Sequence, residues 1–176
     1  PESPEVDSLA RLFDDGVKAW GHYFVMAREQ LAELQLTGYV MKNEQTFVDA
    51  GLLPPDLPTF LHGYQRGYEF WVRDQPSDYY RRHLLLHEGV HGFMSILLGG
   101  TGPPWYREGM AEHLATHRYA NGKLQVGVMP TSRDEVPQWG RIRILQDRFA
   151  ADQAKMLNEV MRLGNADFLD TEGYAW

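Results

Sequence analysis

One long, largely apolar helix limits the fold more than any other feature of this sequence. Ser77 or Asp78 is placed to cap its N-terminus, and Gly99 and Gly100 are placed to end it. We therefore expect a helix over about 78–98. A helix that is apolar on several sides lies inside a protein rather than on its surface. The apolar residues near its centre are Leu84, Leu85, Leu86, Val90, Phe93, Ile96 and Leu97.

The segments on either side of this helix predict an α+β fold. Apolar residues at three- and four-residue steps predict helix over 7–34, in two pieces if its glycines interrupt it. The order of helix, strands and then helices predicts a small mixed sheet packed on the long helix, with a mainly helical C-terminal part. The 176 residues fit a single domain. The other expected elements are strands at 36–41 and 68–72, a helical turn at 46–50, loops at 53–58 and 131–137, a helix over 105–119, a hairpin about Asn121-Gly122 that shortens that helix, and one or two helices within 138–163.

Composition and charge exclude several classes of partner. The net charge is -7 and the sequence has no basic stripe, so we do not expect nucleic acid as a partner. No stretch approaches the roughly 18–20 apolar residues of a membrane span. Without cysteine, any metal ligands must be His, Asp or Glu. The chain begins at Pro1 rather than Met, as a processed product does, and we expect a secreted or periplasmic location.

Two histidines and a glutamate on the long helix form a metal-binding pattern. His87 and His91 are four residues apart, so they share one helical face and can bind one ion at about 2 Å each. Glu88 projects from a neighbouring strip of the helix, close to that ion without binding it. That is the position of a general base acting on a metal-bound water. The alternative is a pair of structural histidines, but burying such groups among apolar side chains without partners is costly.

The helix predicted over 105–119 offers a third ligand. Glu108 and Glu112 are also four residues apart and share one face. Zinc in hydrolytic sites commonly takes three protein ligands and leaves a fourth position for water, so Glu108 can be the third ligand. Glu112 can then accept a hydrogen bond from the outer nitrogen of His87 and fix its tautomer. The alternative for such a glutamate pair is a solvent-exposed helical face.

Taken together, these motifs resemble those of the gluzincin metallopeptidases. The sequence His87-Glu88-Gly89-Val90-His91 is followed by Trp105-Tyr106-Arg107-Glu108-Gly109-Met110-Ala111-Glu112. The pair is similar to that of the bacterial peptidase-MA-like proteins, whose second motif reads Trp-x-x-Glu-Gly-x-Ala-Glu, and more distantly to thermolysin and aminopeptidase N. The resemblance implies a zincin-like fold and a zinc ion bound by His87, His91 and Glu108. It also implies that Glu112 orients a ligand.

The resemblance is close over 83–112 and looser elsewhere. Sixteen residues separate His91 from Glu108, a shorter connection than in thermolysin or aminopeptidase N. The Gly-Ala-Met-Glu-Asn segment with which aminopeptidases bind the substrate amine has no counterpart, so that specificity is not carried over. Metzincins are not resembled, because Met94 and Leu97 stand where that group has Gly and His.

A tyrosine near the end of the chain is the expected oxyanion donor. Amide hydrolysis builds an oxyanion, which a positioned side-chain donor helps to stabilise. In aminopeptidase-like gluzincins a tyrosine well downstream of the Glu ligand has this role, and Tyr174 lies at a comparable distance here. Because Tyr174 is almost the last residue, we expect the natural protein to continue past Trp176.

These residues predict a zinc-dependent peptidase that cleaves amide bonds of a peptide or protein substrate. A metal-activated water would be the nucleophile and Glu88 the general base. One alternative is a metal-retaining binding or scaffolding module without significant catalysis, in which the ligands persist but the cleft and the oxyanion donor do not. Another is a non-haem iron site, which two histidines and one carboxylate also suit. The position of Glu88 beside His87 favours hydrolysis.

Other residues near the motifs carry smaller expectations. His83 lies one turn before His87, and we expect it to cap or to orient a ligand rather than to bind the metal. His113 and His117 follow Glu112 and are expected to face solvent, and the alternative for His117 is a place facing the cleft. The segment 68–72 is either an edge strand that pairs with an extended peptide or a part of the core.

Overall fold

The computed structural model describes residues 4–129 and 140–168. These residues form helices and two small sheets, so the predicted α+β class is confirmed. The predicted loop over 131–137 lies outside the described residues. The helices are α1 (Pro4–Tyr23), α2 (Arg28–Glu33), α3 (Glu44–Asp49), α4 (Asp78–Leu97), α5 (Pro104–Ala115), α6 (Gly140–Ala150), α7 (Leu157–Val160) and α8 (Asn165–Phe168). The strands are β1 (Thr37–Met41), β2 (Gly63–Arg66), β3 (Glu69–Arg73), β4 (His117–Ala120) and β5 (Lys123–Val126).

Helix α4 is the central element, as its composition predicts. The Ser77 hydroxyl accepts a hydrogen bond from the backbone N–H of Tyr80 at 3.2 Å and so caps its N-terminus. Gly99 takes a left-handed φ of 69° just beyond its end. The helix packs against α1, α5 and the sheet of β1, β2 and β3. Its central residues are buried because neighbours cover it on several sides.

Helix α1 approaches α4 closely because glycine stands at the contact. A Cβ atom on Gly89 would collide with the Phe13 ring and lie 2.9 Å from the Trp20 ring. Trp20 is fully buried, and its indole N–H donates to the carbonyl oxygen of Leu114 at 3.3 Å. Trp20 therefore ties α1 to α5, so the three helices hold one another in place.

The larger sheet is mixed and has the order β1-β3-β2. Strand β3 pairs in parallel with β1 and antiparallel with β2. The possibility that 68–72 is an edge strand is therefore wrong, because β3 has a neighbour on each side. Its Phe70 and Trp71 belong to the core, with at most 1% of either exposed. Strand β2 was not predicted, and it supplies one edge of the sheet beside α4.

Helix α5, which was predicted over 105–119, ends at Ala115 because the chain then enters a β-hairpin. Strands β4 and β5 pair antiparallel around Asn121 and Gly122, whose φ angles are 53° and 71°. Positive φ at both residues is the requirement of a type I′ turn, which the Asn-Gly pair predicts. The hairpin was expected from the sequence, and it shortens α5 as foreseen.

The C-terminal part is helical, as predicted, but it is divided further. Helices α6 and α7 occupy the segment 138–163, in which one or two helices were predicted, and α8 follows beyond it. Val160 and Phe168 are buried, and α8 contacts α5. Among the described helices, none combines the length and the apolar character needed to cross a membrane.

Candidate metal centre

Three side chains converge in the interface between α4 and α5. The Nε2 atoms of His87 and His91 are 3.1 Å apart. Oε2 of Glu108 lies 3.4 Å from Nε2 of His87 and 3.3 Å from Nε2 of His91. Each of the three residues is at most 9% exposed. Two ligands come from one face of α4 and the third from the facing side of α5, as the paired motifs predict.

The three atoms have the spacing that a tetrahedral metal ion requires. Ligands about 2.0–2.1 Å from a tetrahedral ion lie about 3.3 Å from one another. The three observed separations, 3.1, 3.3 and 3.4 Å, form a nearly equilateral triangle of that size. Oε2 of Glu108 is also buried and has no hydrogen-bond partner among the described residues. His87, His91 and Glu108 could therefore hold a metal ion.

Arg107 determines which oxygen of Glu108 faces the histidines. Its Nε–H donates to Oε1 of Glu108 at 2.9 Å, and one terminal N–H group donates to Oδ1 of Asn165 at 3.3 Å. Oε1 is thereby occupied and Oε2 is left for a metal ion. Sequence reasoning missed this role of Arg107. The only available signal was its place beside Glu108 in the second motif.

Glu112 lies behind His87, on the side away from the three ligand atoms. Its Oε1 is 3.3 Å from Nδ1 of His87, and its Oε2 is 3.2 Å from Nε2 of His83. A carboxylate at Nδ1 favours the tautomer that carries its proton there and leaves Nε2 free to bind a metal ion. Glu112 thus lies where the sequence predicts an orienting carboxylate.

Glu88 lies against the edge strand β2. A Cβ atom added to Gly63 would lie 2.5 Å from Oε1, 2.7 Å from Cγ and 2.8 Å from Cδ of Glu88. The glutamate is 6% exposed, so its side chain fills the space that Gly63 leaves. Sequence reasoning missed Gly63, because nothing in the sequence predicts β2.

The charges of the site favour a cation. Burial is the largest cause that raises the pKa of Glu88, which reaches about 7. Burial lowers the pKa of His91. Burial also opposes charge on His87, but the neighbouring carboxylates of Glu108 and Glu112 outweigh this and raise its pKa to about 10. Without a metal, the carboxylates thus hold a proton on His87, and a bound cation would take over that positive charge.

Replacing Gly63 with alanine is expected to lower any turnover that uses Glu88 as its base by about 100-fold, since misplacing a catalytic group by about 1 Å costs that much. The added methyl group would push the Glu88 side chain away from its place. The metal content should not change, because the three atoms nearest the added Cβ atom all belong to Glu88 and none to His87, His91 or Glu108. Elemental analysis and steady-state kinetics on the purified variant measure both quantities.

Gly100→Ala is the matched control, because an added Cβ atom there meets nothing within 4 Å. It should keep full activity. Full activity in the Gly63→Ala variant would show that the position of Glu88 does not matter for turnover.

His117 is buried, so the expectation that it faces solvent is wrong. It is 4% exposed, and its ring stacks on Tyr79 with centroids 4.7 Å apart. Its Nδ1–H donates to the carbonyl oxygen of Ala115 at 2.9 Å, and its Nε2 accepts from Nε of Arg82 at 3.3 Å. His113, one turn earlier, is exposed as expected. A residue in a short hairpin strand is usually exposed, but Tyr79 of α4 covers the His117 ring.

Acid is expected to destabilise the protein through His117. Burial lowers its pKa from 6.5 to about 4. Below pH 6.5 the unfolded chain therefore binds more protons at His117 than the folded chain does, and stability falls as the pH falls towards 4. Between pH 7 and 5 this amounts to about 2 kcal/mol. Urea unfolding at the two pH values measures it.

The variant His117→Asn should lose about that much less stability between pH 7 and pH 5 than the wild type does, because asparagine does not titrate there. His113→Asn is the control, and it should leave the pH dependence as it is in the wild type. An equal loss in the wild type and in His117→Asn would contradict the assignment of the acid sensitivity to His117.

Comparison with known proteins adds no relative of this chain. No known protein family, curated protein or solved structure matches it.

Tyr174, the expected oxyanion donor, lies outside the residues that the structure describes. Function is therefore inferred from the residues of the site themselves.

Proposed function

We propose that this protein is a zinc-dependent hydrolase with a zincin-like fold, and that it acts as a peptidase. One observation carries the proposal: a buried triangle of His87, His91 and Glu108 with zinc-like spacing, beside a buried glutamate that is not one of its corners. A purely structural site has no need of such a glutamate. A hydrolytic site needs it as the base that removes a proton from water.

Zinc is the metal that these donors fit best. Two imidazole nitrogens and one carboxylate oxygen are the protein ligands of several zinc hydrolases, which keep a fourth position open. Iron(II) accepts the same donors. The buried carboxylate of Glu88 beside these donors favours zinc-dependent hydrolysis, because an iron oxygenase has no need of that base. Zinc bound here would supply Lewis acidity, polarising a carbonyl group and lowering the pKa of water.

The residues of the chain divide the remaining work. The Glu88 carboxylate takes the proton of the attacking water and delivers it to the nitrogen of the leaving amine. Burial raises the pKa of this carboxyl to about 7 in the metal-free protein. Glu112 keeps the proton of His87 on Nδ1, and Arg107 occupies Oε1 of Glu108. These contacts hold two of the three ligands in a binding-ready geometry.

Elemental analysis of protein purified without added metal is the first test of this proposal. We expect about one zinc ion per chain, bound by the triangle of His87, His91 and Glu108. Iron in place of zinc would favour a non-haem iron site instead. No bound metal after loading with either ion would refute the metal centre.

Digestion of a broad peptide library by the zinc-loaded protein is the second test. Cleavage that a chelator abolishes and that added zinc restores supports a peptidase. A protein that binds zinc but cleaves no peptide would be a metal-retaining binding or scaffolding module.

A further inference from the structure

We propose that His83 is a positioning residue for the zinc site, acting through Glu112 on His87. The inference rests on the proposed zinc site and adds a residue to it. His83 does not belong to the triangle of ligand atoms. It contacts the carboxylate that contacts one of them.

Glu112 lies between two histidines of α4 that are one turn apart. Its Oε2 faces Nε2 of His83 at 3.2 Å, and its Oε1 faces Nδ1 of His87 at 3.3 Å. Because each oxygen of Glu112 accepts a hydrogen bond, the carboxylate does not rotate freely about the Cγ–Cδ bond. The Glu112 side chain is 25% exposed, and the hydrogen bond from His83 limits how far its carboxylate can turn away from His87.

The ring of His83 is itself held in place. Its side chain is 12% exposed and stacks on Tyr79 with centroids 5.9 Å apart. Tyr79 also stacks on His117, which is fixed by its own hydrogen bonds to Ala115 and Arg82. The three stacked rings leave the Nε2 edge of His83 facing Glu112.

The hydrogen-bond pattern fixes which nitrogen of His83 carries the proton. Its Nδ1 is buried and has no hydrogen-bond partner in the part of the chain that the structure describes. A buried N–H without an acceptor is costlier than an unfilled acceptor, so the proton belongs on Nε2. Nε2–H therefore donates to Glu112, and the ordered chain of contacts runs from His83 through Glu112 to His87.

A second metal site at the same residues is the competing explanation. His83, His87 and Glu112 also lie close enough to share an ion. In the triangle a single oxygen of Glu108 faces both histidine nitrogens, whereas Glu112 turns a separate oxygen to each of its two histidines, as two hydrogen bonds do. We therefore assign these contacts to hydrogen bonding, and the stoichiometry of zinc binding separates the two.

The test compares three substitutions of His83 by the affinity of the full chain for zinc, measured by competition with a chelator. His83→Leu removes the donor and should weaken zinc binding by about 10- to 100-fold, the usual effect of losing an outer partner of a ligand. His83→Gln can place an N–H group near the former Nε2 and should restore most of the affinity. His83→Asn places its amide nearer the former Nδ1 and should not.

The cobalt(II) form gives a second readout that does not depend on turnover. Its visible absorption bands report the ligand geometry, and we expect them to change in His83→Leu and to return in His83→Gln. Thermal unfolding of the metal-free variants shows whether each is folded. Should His83→Leu fail to fold, the two amide variants carry the comparison alone.

Three results would overturn the inference. The first is wild-type zinc affinity in His83→Leu, and the second is equal affinity in His83→Gln and His83→Asn. Either would leave the proposed zinc site intact. The third is two zinc ions per wild-type chain, one of them lost in every His83 variant. A wild-type protein that binds no zinc would instead remove the proposed function together with this inference.

Discussion

Replacing Glu88 with glutamine is expected to lower kcat/KM by about 100- to 10,000-fold, the usual contribution of a general base, while the zinc content stays the same. Glutamine has the size and shape of glutamate but cannot take a proton from water. The three atoms that form the metal triangle belong to His87, His91 and Glu108. The substitution therefore removes the base and leaves the ligands.

The folded structure should tolerate this substitution well. Glu88 is 6% exposed, and burial is the largest cause that raises its pKa to about 7. A raised pKa means that the folded protein disfavours the charged carboxylate, so a neutral amide of the same shape suits the site. We expect the melting temperature of the metal-free variant to equal or exceed that of the wild type. Loss of activity in a variant that is at least as stable cannot be ascribed to unfolding.

A matched control is available on an exposed helix. Glu29 lies in α2, which packs against α1, and is exposed, so Glu29→Gln makes the same change of charge outside the candidate metal centre. Its activity should be that of the wild type. If Glu88→Gln cleaves the same peptide at more than about a tenth of the wild-type rate, Glu88 is not the general base.

Local spacing explains why the residues of the candidate metal centre could be picked out from the sequence. His87 and His91 are four residues apart on a helix whose caps and apolar centre are legible in the sequence, so their shared face follows from helical geometry. Glu108 and Glu112 follow from the same geometry on α5. Only the contact between α4 and α5 could not be derived from helical geometry. The segment that connects the two helices is short, so their contact could be anticipated.

The residues that sequence reasoning missed depend on contacts between distant segments. Strand β2 forms by pairing with β3, where Gly63 lies opposite Val72. Its sequence has no alternation of apolar and polar residues that would predict a strand. The place of Gly63 against Glu88 follows only from that pairing. His117 is buried because Tyr79, which lies far away in sequence, covers its ring. Such contacts are set by tertiary packing, which overrides the tendencies of a short segment.

Replacing Glu108 with glutamine is expected to abolish zinc binding at zinc concentrations that saturate the wild type. Loss of an outer-shell partner costs about 10- to 100-fold in metal affinity, and the loss of the only anionic ligand should exceed about 100-fold. Arg107 makes the change more severe. Its Nε–H donates to Oε1 of Glu108, so the amide oxygen of the glutamine would take that place. The amide NH2 would then face His87 and His91, where a ligand must offer a lone pair.

The two glutamine variants therefore give opposite patterns in the same pair of measurements. Glu88→Gln should keep its zinc and lose turnover, whereas Glu108→Gln should lose both. Elemental analysis after dialysis, with kinetics on the same samples, records both patterns. Full zinc occupancy in Glu108→Gln would mean that the ion binds elsewhere, and the triangle of His87, His91 and Glu108 would then not be the metal centre. Excess zinc that restores activity to Glu108→Gln, but not to Glu88→Gln, would assign the first residue to binding and the second to chemistry.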